Sequence, residues 1–155
     1  MQLLQMPKGV HQCLVYSLAM LIEEDPDVII AEIGHDGTEA WWDYGPPYSY
    51  RGYHIQEIID VCLLRGIGLT PIEATPLLGC AMQPGSHRQV WPPEEAQARM
   101  HNILQGRPAI LIGPGHACAW DGNIVFDPNG RNMPLSEFRP MEAWLVSPSH
   151  QKGVI

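Results

Sequence analysis

No stretch of this chain stays apolar for the roughly 18 residues that a membrane-spanning helix requires, and none of its four cysteines falls in a Cys-x-x-Cys pair. Their spacing suits neither a zinc ribbon nor a small disulfide scaffold. Basic residues are scarce. Nine Lys and Arg stand against 17 Asp and Glu, a formal net charge of −8, which argues against a general nucleic-acid or anionic-membrane surface because either would need a basic patch. The opening Met1-Gln-Leu-Leu-Gln-Met-Pro-Lys8 has no charged segment followed by an apolar one, so no signal peptide is expected. The resulting expectation is a soluble protein of a reducing cytoplasm.

The composition that remains is globular. Apolar residues make up 45 % and charged residues 17 % of 155 positions, which suits a single domain over 1–155 with one substantial core. The most organised stretch runs from Arg107 to Gly130. It reads as three short β-runs: Pro108 to Ile112 apolar, His116 to Trp120 alternating, and Asn123 to Asp127 carrying Ile124, Val125 and Phe126. Asp121-Gly122 favours a two-residue type I′ hairpin. That turn predicts Trp120 facing Asn123, Ala119 facing Ile124, and His116 facing Asp127. Directly opposed side chains in an antiparallel pair have Cβ atoms about 4.5–5.5 Å apart. A carboxylate accepting one imidazole N–H would fix the tautomer and leave the other nitrogen as a base.

Such a pair asks for a nucleophile. The segment from about Gln12 to Glu24 is apolar nearly all round, as a buried central helix is, and Cys13 falls in its first turn. Unpaired backbone N–H groups and the positive end of the helix dipole favour a thiolate there. The alternative is that Cys13 is a small core residue, since free cysteines are often buried. Asp25-Pro26 predicts a second helix from Pro26 to Ile33 ending at Gly34, and a third runs from about His54 to Leu64 before Gly66. His54 reads as a surface residue or a helix-terminus contact. Between them, 41–53 form an aromatic loop that suits a recognition cleft or a cover for the core edge. Gly66 to Ile72 reads as a strand and 73–91, which contain Cys80, as an irregular loop fit for a lid or substrate wall. A helix from Pro92 to Leu104, a helical turn at Leu135 to Phe138, a closing strand from Glu142 to Val146 and a loose tail from Ser147 complete an α+β layout, helices first and an antiparallel sheet last.

These residues resemble a known family. Cys13 opening a helix with Ser17-Leu-Ala-Met20 behind it, then Gly106-Arg-Pro-Ala-Ile-Leu-Ile112, His116 and Asp127-Pro128, are similar to the papain-like cysteine peptidase superfamily in its bacteriocin-processing-peptidase-like branch. The wider pattern, with Ile33-Gly-His-Asp-Gly37, Arg51-Gly-Tyr-His-Ile-Gln56 and His116-Ala-Cys-Ala-Trp-Asp-Gly122, is similar to small bacteriophage-encoded proteins. The resemblance implies a papain-like fold with N-terminal helices packed on a C-terminal antiparallel sheet. It also implies Cys13 as nucleophile, His116 as general base then acid, Asp127 as the group orienting the imidazole, and an acyl-enzyme with no metal or organic cofactor. A phage origin implies a host or phage protein as substrate and the host cytoplasm as location.

Two departures stand out. Leu14-Val15 follow the cysteine where the branch has Gly-Pro, and Pro7 occupies the place of the glutamine that donates to the oxyanion. Gln5 and, less favoured, Gln12 are the substitutes. Rival readings also follow from the residues. His116 and Cys118 share a strand face and with Asp127 could ligate zinc, but a structural site wants about four ligands and no fourth is evident, so no metal is expected. Asn129 could replace Asp127. The stronger rival is a catalytically silent papain-like module that binds a host protein or small metabolite through 41–53 and 73–91.

Overall fold

A computed structural model of the chain describes residues 1–38, 52–78 and 88–147. Most of the aromatic loop, Cys80 and the tail beyond Ser147 lie outside the described residues, so the expectations placed on them stand where the sequence left them. The elements run α1 (Cys13–Ile22), α2 (Pro26–Ile33), α3 (Ile55–Leu64), β1 (Leu69–Glu73), β2 (Leu77–Leu78), β3 (Arg88–Gln89), α4 (Pro93–Leu104), β4 (Ala109–Gly113), β5 (His116–Trp120), β6 (Val125–Asp127), β7 (Arg131–Met133), α5 (Leu135–Phe138) and β8 (Glu142–Val146).

Local chemistry sets most of these bounds. Asp25 caps α2 by accepting the Asp27 N–H at 2.9 Å, and Gly34 ends it in the left-handed conformation. His54 is the N-cap of α3, its Nδ1 accepting the Gln56 N–H at 3.1 Å while Glu57 returns a carboxylate to the His54 N–H at 2.8 Å. That is a capping box with an imidazole in place of the usual hydroxyl, so His54 is the helix-terminus contact expected of it. β1 starts at Leu69, later than Gly66, and the 73–91 stretch holds a short antiparallel pairing of β2 with β3.

Six strands form one antiparallel sheet in the order β1-β8-β4-β5-β6-β7. The closing strand β8 therefore inserts between β1 and β4, pairing Leu111 with Ala143 on one side and Pro71 with Trp144 on the other. Helices cover both faces, so the molecule has three layers where the sequence suggested two. On one face Val15 and Leu18 of α1, Ile29 of α2 and Ile58 of α3 pack on Ile110 and Ala117. On the other, Met100 and Leu104 of α4 and Leu135 of α5 pack on Leu111, Cys118 and Trp120. β4 lies beneath both layers, which is why Ala109-Ile-Leu111 is a continuous apolar run with no alternation. β5 divides its side chains by size: Ala117 and Ala119 under α1, Cys118 and Trp120 under α4. The Trp120 indole N–H, fully buried, donates to the Leu104 carbonyl at 2.7 Å and ties the end of α4 to the sheet.

The β5–β6 hairpin departs from its expected register. Ala119 pairs with Phe126 and Trp120 with Val125, a slip of two residues. The cause is the Asp121 side chain, whose Oδ1 accepts the N–H groups of both Asn123 and Ile124 at 2.8 Å. Asp121 N–H donates to Ile124 O at 3.3 Å, so Gly122-Asn123 becomes the central pair of the turn. An Asx turn thus wins over the type I′ turn at Asp121-Gly122. A two-residue slip preserves side-chain parity, so every residue keeps its face.

Candidate active site

Three elements meet where β4 turns into β5. Gly113-Pro-Gly115 brings the chain round, with Gly115 at φ +64°, and His116 opens β5 directly afterwards. α1 begins at the same end of the sheet. Cys13 is its first residue, half-buried, after Gln12 as N-cap. Cys13 and His116 share the wall of a cavity of about 520 Å³, together with Leu14, Tyr53, Ile112 and Ala117.

The imidazole is held from behind. His116 Nε2 donates to Asp127 Oδ1 at 2.8 Å, so Nδ1 is the nitrogen left for proton transfer. The hairpin slip makes this contact diagonal rather than directly opposed. Continuing the observed register sets Cys118, not His116, across from Asp127, and diagonal neighbours on one face remain within reach of long side chains. Asp127 is itself fixed. Its side chain is 7 % exposed, and the Asn129 backbone N–H donates to the same Oδ1 at 2.8 Å. The Arg131 Nε lies 3.8 Å from Oδ2. Asn129 thus serves through its main chain, orienting Asp127 rather than replacing it.

The electrostatics follow from these neighbours. The thiols of Cys118 and Cys13, and then Asp127, hydrogen-bond His116 and push its pKa up to about 11, against burial, which lowers it. Burial pushes the Cys118 thiol up and the Cys62 thiol up to about 11. A protonated ring between a carboxylate and thiols is the setting in which a thiolate–imidazolium pair forms. Cys118 thus lies beside the His116 imidazole, a relation that its strand-face parity with His116 already signals.

The two glutamine candidates sit elsewhere. The Gln12 side chain is buried and donates its Nε2 to the Asp36 carbonyl at 3.0 Å. The Gln5 amide lies over Gly130, where a Cβ would come within 2.8 Å of Gln5 Cδ, and the adjacent Met6 N–H bonds the Pro128 carbonyl at 2.8 Å. Neither lines the cavity. Against Tyr53, which lines the cavity, packs a second histidine–carboxylate pair that the sequence reading passed over. His35 Nε2 donates to Glu57 Oε1 at 2.7 Å, and its ring stacks on Tyr53 at 4.8 Å. The Tyr53 hydroxyl donates to the His35 carbonyl at 2.7 Å. The signal was available: His35 stands one residue beyond the Gly34 cap, and Glu57 at the third position of α3.

His116, Cys118 and Asp127 also bring one potential ligand atom each within 4.8 Å of one another. Among the described residues no helix is long and apolar enough to cross a membrane. Comparison with protein-family models, with curated proteins and with solved structures finds no match.

Proposed function

We propose that the chain is a cysteine hydrolase of papain-like build, of peptidase or amidase/isopeptidase type, acting through Cys13, His116 and Asp127. The observation that carries this reading is the shared cavity: a cysteine at the head of a helix and an imidazole locked by a buried carboxylate line the same wall. Cys13 Sγ attacks the carbonyl carbon of an amide, isopeptide or thioester-like bond, and its proton resides on His116. The oxyanion forms beside the Cys13 backbone N–H, one of the unpaired donors at the start of α1. His116 then passes its proton to the leaving group, an acyl-enzyme remains on Cys13, and water activated by His116 releases it. Asp127 keeps the ring in the tautomer that presents Nδ1. The substrate in this reading is a protein or peptide of a phage or its host, met in the host cytoplasm.

One observation favours the rival, a silent papain-like binding module. Gln12 has already given one amide hydrogen to Asp36 O, and Gln5 lies over Gly130, so neither candidate glutamine is poised as the second oxyanion donor. Loss of one such donor typically costs about 10²–10³ in rate.

Iodoacetamide labelling of the native protein against pH, read separately at each cysteine, separates the two. A hydrolase requires Cys13 to label faster than the buried Cys62 and Cys118, with labelling that persists below pH 7 in the wild type and is lost in His116→Ala. Labelling of Cys13 no faster than an ordinary thiol, or only after unfolding, removes the hydrolase reading and leaves the binding module.

A further inference from the structure

We propose that His116, Cys118 and Asp127 form a site for a soft divalent cation, Zn²⁺ above all, and that its occupation switches off the Cys13–His116 pair. Binding does not depend on the hydrolase reading. The inhibition does.

The donor set is the first argument. One imidazole nitrogen, one thiol sulfur and one carboxylate oxygen lie within 4.8 Å of one another, and sulfur with nitrogen selects zinc over magnesium or calcium. Ligands about 2.0–2.3 Å from a tetrahedral ion stand roughly 3.3–3.8 Å apart. The His116–Asp127 contact of 2.8 Å must therefore open by about half an ångström and the widest separation close by about one. Both are side-chain adjustments. The setting is the second argument. Cys118 is fully buried on β5, and Asp127 is held by the Asn129 N–H, the kind of outer support that orients metal ligands. His116 also lines the cavity, from which water completes the coordination. Arg131, the cation beside Asp127, is 65 % exposed, so solvent screens its repulsion.

The chemistry balances simply. Cys118 binds as the thiolate and releases its proton to solvent. The ion displaces the proton between Nε2 and Oδ1, which also goes to solvent. Those are the groups that hold the imidazole ready for Cys13, so an ion among them and proton transfer through the ring exclude each other.

The test is a Co²⁺ titration of chelator-treated protein, read by thiolate-to-cobalt absorption, with Zn²⁺ as competitor and Cys13 alkylation followed in the same samples. One Co²⁺ per chain is expected in the wild type and in Cys13→Ala. In Cys118→Ala its affinity should fall by more than the roughly 10–100-fold that loss of an outer-shell partner costs. Zn²⁺ should slow Cys13 alkylation in the wild type and leave it unchanged in Cys118→Ala. Absence of the band in the wild type, its loss in Cys13→Ala, or its survival in Cys118→Ala overturns the site. If Cys118→Ala does not fold, His116→Gln takes its place and must lose the band. Failure of the hydrolase reading looks different: Cys13 is then unreactive in the metal-free protein while the Co²⁺ site persists.

Discussion

His116 is the residue on which most of this molecule's chemistry converges, and its protonation couples to folding. Its pKa is raised from the ordinary 6.5 to about 11 by Cys118, Cys13 and Asp127, so the folded chain binds a proton that the unfolded chain releases. Stability from this source is fully present below about pH 6.5 and is lost as pH rises toward 11. Wild type should accordingly lose urea resistance relative to His116→Ala between pH 6.5 and 10, measured with chelator present. An unchanging difference between the two proteins across that range would show that the fold does not hold the ring protonated. That Cys13, His116 and Asp127 would gather was legible as residue types at this scale, from a helix-head cysteine and a strand histidine with a following Asp-Pro. The places of the Gln5 and Gln12 side chains were not. A glutamine's reach depends on the path of residues 5–12, which no local signal fixes.

Among the elements, legibility followed punctuation. α2, α5 and β5 have the ends expected of them, with Asp25-Pro26, Gly34, Pro134 and Gly115 marking their starts or stops, and β8 spans Glu142–Val146 as expected from its apolar run. β7 went unread, since Arg131-Asn-Met133 carries two exposed polar residues on an edge strand and no alternation. The β5–β6 turn was misread by two residues because Asp121 bonds its own following amides, and the face assignment survived only because the slip was even. Gly122 in that turn has φ +101°, and a Cβ there would come within 3.0 Å of the Gly106 main chain. Backbone cannot step aside as a side-chain end can. Gly122→Ala should therefore cost about 1–3 kcal/mol in urea unfolding, with Cys13 alkylation in the folded protein slowed in step with the displaced β5–β6 register. A neutral Gly122→Ala would mean that the turn has room that its contacts with Gly106 deny.

At the scale of the whole molecule, the sheet and the support behind Tyr53, which lines the cavity, are built by different means. The sheet rests on apolar burial between two helical layers, and its order, with β8 between β1 and β4, depends on pairings across 30 residues and more that no local pattern specifies. The support behind Tyr53 rests on polar ties. Gln12 reaches Asp36, Gly37 packs against Tyr53 with no space for a Cβ, and Glu57 serves His35 with one oxygen and the α3 cap with the other. Removing Glu57 cuts these two ties at once. Glu57→Ala should cost about 1–3 kcal/mol overall, but the loss should be local. Hydrogen exchange should quicken together at 35–38 and 52–58, while β4, β5 and β8 keep their protection. Because His116 and Asp127 are braced from the β6–β7 turn, Cys13 alkylation should stay within about threefold of wild type, a change of about 0.7 kcal/mol. Uniform loss of protection across this support and the sheet would mean that the molecule opens as one unit, with no part behind Tyr53 able to move while His116 and Cys13 stay in place.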